Sequence, residues 1–488
     1  MMRWEIRNTT VLVHGAADGE ARWLCDYLSY VERRYVPGAR RYEDKHRSLF
    51  NAFAREFPAG FARVMYREAL SAGLEVEVVD ARVPPCPPDD SVDLSWLAVH
   101  PVAGVITHQI AAVEACVRWK RGIIWAPTAS GKTEIAIGLA QRVPCRWLFM
   151  VHRSSLLQQT ADRYMKRTGL PAGIIGDGKV DVPDGCRFVV AMFQTMHAAA
   201  KNDRREILTY LLGAEGVICD ECHAIGADTL YDAAMRATNA YYRIGMSATP
   251  LSRGDQRNML TIGCLGQVIY RIRPEELIEK GLLAVPRIRM VPVRQQSAMT
   301  EWRDVYDECV VESRLRNGAV VDIVRRCAKP ALVFVQEVEH GKALTRLIEQ
   351  AGMRAEFVYG AKDTRQRRAA VERLVRTDID ALVTNCIFQE GVDIPSLRSI
   401  VVASAGKSTI AAVQRVGRGM RVDAATGKDE CEVWDVADLG CGCTNDDRQY
   451  AHFGCRLLER HMAARKKAYE AEGYKVEIKS LYSPGDLV

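Results

Sequence analysis

The sequence predicts an α/β protein with two parallel-sheet domains in tandem, preceded by a small α+β domain. Three observations predict it. From Trp96 onward, short apolar runs alternate with helical periodicity, the pattern of parallel strands wrapped by helices. One such run, Arg121-Gly-Ile-Ile-Trp125, passes through a small-residue turn into an amphipathic segment that opens with Lys132-Thr133. Before residue 84 the pattern is shorter and mixed, and Pro84-Pro-Cys-Pro-Pro-Asp-Asp90 then breaks it as a linker.

Composition sets the outer limits. The 488 residues suffice for two or three domains, and 48% hydrophobic with 26% charged residues is ordinary globular usage. No apolar run reaches membrane-spanning length, and the first residues lack a signal-peptide core, so no membrane association is expected. Fifteen cysteines without a spaced framework suit reduced thiols in a cytoplasm. The net charge of +6 permits a polyanionic partner without requiring one.

In residues 1 to 83, Thr9 to His14 has strand character and Glu20 to Tyr30 helical periodicity. A second helix is expected from Phe61 to Ala72, then an alternating strand from Leu74 to Val79. Between them, Arg33, Arg34, Arg40 and Arg41 interleave with Tyr35 and Tyr42. This composition fits a track for a phosphate backbone and fits a solvated basic loop equally.

The turn Ala126-Pro-Thr-Ala-Ser-Gly-Lys-Thr133 has the P-loop spacing, with Ala126 where the first glycine of the pattern stands. Backbone N–H groups of Thr128, Ala129, Ser130 and Gly131 are expected to cradle phosphates at a helix N-terminus. Lys132 then meets the β/γ-phosphates of ATP, and the Thr133 hydroxyl coordinates Mg²⁺. Gln109, on a helix upstream, has an amide that can both donate to and accept from an adenine edge. Downstream, Gly216-Val-Ile-Cys-Asp-Glu-Cys-His223 delivers two carboxylates at the end of a buried strand. Asp220 suits the metal, and Glu221 suits orienting and deprotonating the attacking water. Ser247 and Thr249 follow another strand and, with His223, are candidates for relaying the γ-phosphate state. Polar residues after the strands Trp147 to Val151 and Phe188 to Met192, namely Arg153 and Thr195, are site candidates by position.

The ordered set Ala126 to Thr133, Asp220 to His223 and Ser247 to Thr249 resembles the first motor domain of superfamily 2 helicases. Pro330 to Val335, Thr384 to Pro395 and Gln414-Arg-Val-Gly-Arg-Gly-Met-Arg421 resemble motifs IV, V and VI of the second. The resemblance covers about residues 105 to 440. Asp-Glu-Cys-His in motif II and Gln414 opening motif VI resemble the DNA-acting side of the superfamily. Pro274 to Ala284, His340 to Leu344 and Val433 to Asp438 are similar to XPB-like and phage UvsW-type helicases. The small domain ahead of the motor loosely resembles the duplex-binding domain of the UvsW type.

The resemblance implies two RecA-like motor domains with ATP between them, and branched or duplex DNA as partner, with single-strand tracking by the motor. It places Gln109, Lys132, Thr133, Asp220 and Glu221 on one side of the nucleotide. Gly391, Asp393, Gln414, Arg418 and Arg421 stand on the other. Guanidinium groups suit motif VI because a dissociating γ-phosphoryl spreads charge over its oxygens. Arg418 and Arg421, three apart, are expected to share a helix face. The nucleic-acid track implied by the family falls on Arg153, Thr195, Phe334 and Thr384. Expected boundaries are 1–83, a linker 84–95, motor domains 96–285 and 286–445, and a helical extension 446–488. The implied biology is fork and recombination remodelling in a bacterial or phage-infected cytoplasm. An RNA helicase, a restriction-type translocase subunit and a P-loop kinase are the alternatives. Cys441, Cys443 and Cys455, with His452 and His461, offer zinc ligands at an unusual spacing, and free thiols are the plainer expectation.

Overall fold

The computed structural model describes residues 1–488 except 37–40, 101–103, 106, 252–255, 361–363, 386–393, 441–452 and 482–488. Of 33–36, 41–42, 99–100, 104–105, 364 and 410 it describes the backbone alone. The chain divides into two compact units, Met1–Pro127 with Gly131–Ile272, and Arg273–Val488 with Thr128–Ser130. Residues 273–285, assigned from sequence to the first motor domain, therefore group with the second unit.

The first unit begins with a four-stranded sheet ordered Glu56–Pro58, Thr10–His14, Met2–Ile6, Val76–Asp80. Helices Asp18–Tyr27 and Ala62–Ser71 accompany it, over a core containing Trp4, Val13, Leu24, Phe57, Phe61 and Met65. Trp4 meets Phe57 edge-on at 5.3 Å. This small domain is seated on the following one at close range. A Cβ on Gly60 would lie 1.9 Å from the Ile262 carbonyl oxygen in helix Asn258–Leu265, so only glycine fits there.

Two expectations for this region are corrected. The first helix stops at Tyr27, and Ser29–Val36 pairs antiparallel with Arg41–Ser48 as a hairpin rather than a basic loop. Charged residues run through both strands, so their period of two shows little apolar alternation. Register sets Arg33 opposite Asp44, Arg34 opposite Glu43 and Tyr35 opposite Tyr42. The base of the ribbon is fastened to the α/β sheet domain: Arg257 pairs with Glu32 at 3.1 Å and Asp228 at 2.7 Å, and Val31 N–H donates to Gln256 Oε1. The proline linker lies along the same domain, where Asp89 N–H donates to the Arg142 carbonyl and Asp90 pairs with Arg142.

The large sheet of the first unit runs Lys179–Asp181, Gly173–Gly176, Phe188–Met192, Trp147–Val151, Gly216–Asp220, Tyr242–Ser247, Arg121–Trp125, Val268–Arg271. All neighbours are parallel except the first pair. The chain leaves Arg121–Trp125 and returns in Trp147–Val151, beyond two intervening strands. That reversal opens a crevice at the carboxyl ends of the strands, the usual ligand position in such sheets.

The second unit has a seven-stranded parallel sheet ordered Ala355–Val358, Ala381–Thr384, Ala331–Phe334, Ser399–Val402, Glu430–Leu439, Val285–Arg294, Val476–Ile478. Helix Phe453–Ala471 packs on it, as the sequence periodicity implies, and the last strand, not expected from sequence, closes one edge. Arg465 in that helix is fully enclosed, bonded to Asp435 and to the carbonyls of Gly406 and Val436. Arg316 pairs with Asp438 at 2.7 Å beside it. Among the described residues no helix is long and apolar enough to cross a membrane.

Candidate nucleotide site

The turn expected to cradle phosphates follows the strand Arg121–Trp125, whose middle residues are buried and whose end is held when Ala126 N–H donates to the Ser247 carbonyl. Ala126 has no left-handed φ, so alanine serves where the pattern has glycine. The turn reverses at Ala129 (φ 67°) and Gly131 (φ 87°), and helix Lys132–Arg142 begins immediately. Glycine is required at 131 for a second reason: a Cβ there would lie 2.1 Å from Gln109 Nε2. The Gln109 amide, in the first turn of His108–Trp119, is thus pressed against the loop. Lys132 Nζ stands 3.4 Å from the Ala126 carbonyl oxygen and 3.8 Å from Glu221 Oε1.

Asp220 ends the strand Gly216–Asp220, and Glu221 follows in a left-handed conformation (φ 46°) that turns its side chain back toward Lys132. Ser247 Oγ donates to Glu221 Oε2 at 3.1 Å and accepts from Thr249 N–H at 3.1 Å. Its one hydrogen is then spent, so the His223 Nδ1 at 3.0 Å must carry a proton and donate. His223 Nδ1 also lies 3.3 Å from Glu221 Oε2. Motif II and the strand end at Ser247 are therefore joined through the side chains of Glu221, Ser247 and His223, whereas Thr249 enters through its backbone N–H and its buried hydroxyl has no hydrogen-bond partner among the described residues.

Burial, then the adjacent Glu221, pushes Asp220 above the usual carboxylate range. Burial acts on Glu221 in the same direction, but Lys132, His223 and Ser247 outweigh it and hold that carboxyl well below its ordinary value. Environment separates the two acids: Glu221 is ionised and fixed, and Asp220 gains most from a cation. Thr133 and Asp220 are the residues that fit Mg²⁺, an ion that takes most of its ligands from phosphate and water. Among the described residues no cluster of three or more His, Cys, Asp or Glu could hold a metal alone.

In the second unit, helix Thr409–Gly419 is capped by Ser408, whose Oγ accepts from Ala411 N–H, and carries Gln414 and Arg418. Gln414 is 5% exposed and its Nε2 has no hydrogen-bond partner among the described residues, an amide donor still to be satisfied. Arg421 does not share the helix face with Arg418: the helix ends at Gly419 and Arg421 forms a bridge with Leu283. The glycine before Met420 accounts for the early stop. Gly391 and Asp393 lie outside the described residues, as do Arg40, Cys441, Cys443 and His452.

Two residues of the expected nucleic-acid track are corrected. Phe334 and Thr384 are each 0% exposed. Phe334 lies under the Arg415 guanidinium at 5.6 Å, and Thr384 Oγ1 donates to the Asn385 carbonyl. Both end central strands covered on both faces, where a side chain has no route to solvent. Arg153 and Thr195 are partly exposed just beyond neighbouring parallel strands. Arg33, Arg34 and Arg41 lie on the hairpin strands. Cys455 is buried, with its thiol toward the carbonyls of Gln295 and Ser297, and His461 packs edge-on against Trp302. Sequence reasoning missed His152, which lies near enough to favour Asp220 ionisation. Its signal was the polar run after a buried strand, from which only Arg153 was taken.

Residues 104–252 match the family described as Type III restriction enzyme, res subunit, and residues 316–423 match the helicase conserved C-terminal domain. A protein named helicase 22 from a Sulfolobus islandicus filamentous virus is 28% identical over 326 residues, covering 62% of this chain and 58% of that one. The ATP-dependent DNA helicase uvsW of Enterobacteria phage T4 is 23% identical over 389 residues, covering 74% of each. A solved fragment of an HsdR-type subunit of a type I restriction enzyme from Vibrio vulnificus is 18% identical. It has a TM-score of 0.52 and covers 91% of this chain and 82% of that one, a likeness of fold. The chain spans less than two thirds of the length of the first of these relatives.

Proposed function

Because the chain belongs to superfamily 2 of the helicases, we propose that it couples ATP hydrolysis to movement along DNA and remodels branched DNA. The observation that carries this reading is the chain of side chains Lys132–Glu221–Ser247–His223 at the carboxyl ends of adjacent strands. A simple phosphate-transfer pocket needs the first two of these. A motor also needs the state of the γ-phosphate to reach other strands, and Ser247 and His223 supply that path.

In this reading the P-loop N–H groups and Lys132 hold the β/γ-phosphates, and Gln109 reads the adenine edge. Glu221 orients the attacking water and takes its proton. Thr133 and Asp220 would hold Mg²⁺, which would neutralise phosphate charge. Arg418, with Gln414 nearby on its helix, meets the transferring phosphoryl, and Gly391, Asp393 and Arg421 complete that side. Loss of the γ-phosphate releases this second set of groups, and alternation between the two states is the step. Arg153 and Thr195 touch strand backbone, so base sequence matters little.

The finer proposal, action on branches, requires a second grip on a duplex arm. The hairpin Ser29–Val36 with Arg41–Ser48 suits it, fastened at its base, its two strands carrying five Lys/Arg against three Asp/Glu. The test is strand displacement by the full chain on forked, four-way and linear duplex DNA. Displacement with hydrolysable ATP, strongest on branched substrates and absent in Lys132→Ala, is expected. No displacement or translocation on any DNA by hydrolysis-competent protein contradicts the motor reading. The match to a restriction-enzyme subunit favours one second reading, a translocating subunit of a larger assembly. Movement along duplex without strand separation would identify it.

A further inference from the structure

The first unit contains another recess, at the opposite end of the sheet from the P-loop. Arg121 opens the strand whose far end enters the P-loop, and Val268 opens the neighbouring parallel strand. Around these amino ends a groove of about 520 Å³ separates the small N-terminal domain from the α/β sheet. That volume lies within the range of roughly 300–1,000 Å³ usual for small-molecule sites.

Its chemistry is one-sided. The charged groups lining it are three guanidinium groups, Arg63, Arg82 and Arg121. The acid beside it, Asp80, is engaged by Arg82 through bonds of 2.8 and 2.7 Å. Arg121 donates to the carbonyls of Cys264 and Asn8. Neighbouring Arg243 is likewise bonded to main-chain carbonyls. Burial, then Arg243 and Arg82, works against the Arg121 charge, a cost that an anion beside it would offset. Trp4, in the same lining, is 0% exposed and its Nε1–H has no hydrogen-bond partner among the described residues. The rim is aromatic: Trp119 is 36% exposed with the Arg63 guanidinium 4.2 Å over its ring, and Tyr66 stands opposite the sheet on helix Ala62–Ser71.

A buried donor and three guanidinium groups, beside a partly exposed indole, suit a ligand that is both planar and anionic. We propose that this groove binds a nucleoside phosphate, its base against Trp119 and its phosphate toward Arg82 and Arg121. The unit can come from a nucleic-acid strand, giving the N-terminal domain a single-strand grip remote from the motor track, or from a free mononucleotide. The proposal is independent of ATP hydrolysis and stands or falls separately from the helicase reading.

The test uses the full chain with Mg-ADP saturating the P-loop site. Calorimetric titration with dAMP, and separately with oligodeoxythymidylate of about twelve nucleotides, is compared for wild type, Trp119→Ala and Arg63→Glu. Both substitutions alter exposed side chains, and DNA-free ATPase is the check that they leave the fold intact. A weakening of about tenfold in both variants, the scale of removing one base stack, is expected for whichever probe fills the groove. Weakening for dAMP identifies a free nucleotide, and weakening for the oligomer alone identifies a strand. Unchanged affinity for both probes in both variants overturns the proposal.

Discussion

Glu221 occupies a backbone conformation that L-residues rarely adopt, at a cost on the order of 1–3 kcal/mol. The turn keeps its carboxylate between Lys132 and Ser247, where position matters more than local stability. Glu221→Gln keeps an acceptor for Ser247 and loses the base, so ATP binding should persist while turnover falls by roughly 10²-fold or more. Equilibrium binding of a fluorescent ATP analogue beside single-turnover hydrolysis checks this; a loss confined to binding contradicts the role. His340 gives a residue-scale prediction of another kind. It is enclosed, with Nε2 2.9 Å from Asn317 Oδ1, and burial together with Arg316 pushes it down to about 3. Between that value and about 6.5 the unfolded chain binds a proton that the folded chain refuses. Stability is therefore intact above about 6.5 and falls with decreasing pH by about 1.4 kcal/mol per unit within the window. His340→Gln, with His461 retained, should flatten that slope in urea titrations; parallel slopes contradict it. The acids, lysine and hydroxyls of the site were legible because their chemistry is tied to spacing. Phe334 and Thr384 misled because a residue at a strand end does not declare which covered face it enters.

At the scale of elements, apolar runs named strands well. Trp147–Val151, Phe188–Met192 and Gly216–Asp220 begin and end where their sequences suggest, since a strand buried on both faces is a continuous apolar word. The hairpin was illegible for the opposite reason, charged residues interrupting both of its strands. Its register tempers the basic segment by setting Arg33 and Arg34 opposite Asp44 and Glu43. Substituting Arg33, Arg34 and Arg41 by Glu should weaken duplex and junction binding and shallow its salt dependence by about one unit for each phosphate no longer neutralised. Single-strand-stimulated ATPase should remain. Anisotropy across a salt series decides it, and an unchanged slope removes the hairpin from the DNA-binding surface. Charge substitution is preferable to truncation because the small domain covers Met259 and Ile262, which deletion would bare. The C-terminal strand Val476–Ile478 was missed because three residues are too short to carry a period.

At the scale of the molecule, two parallel sheets and a small leading domain were legible from alternation, linker and motif order. The boundary near residue 285 was not, because helix Pro274–Glu279 reads as one more element of an unbroken α/β rhythm. How closely the leading domain seats was also hidden, since Gly60 facing the Ile262 carbonyl and Gly263 facing Pro58 and Phe61 are approaches that no sequence period announces. In the proposed mechanism a single ATP site drives movement on DNA. Steady-state ATPase of the full chain, measured without nucleic acid and with single-stranded, duplex, forked and four-way DNA and RNA, tests it most directly, with Lys132→Ala in parallel. Low basal turnover, strong stimulation by DNA that is greatest with branched forms, and weak stimulation by RNA are expected, with none of it in Lys132→Ala. Hydrolysis indifferent to every DNA, or DNA-stimulated hydrolysis surviving in folded Lys132→Ala, would contradict it.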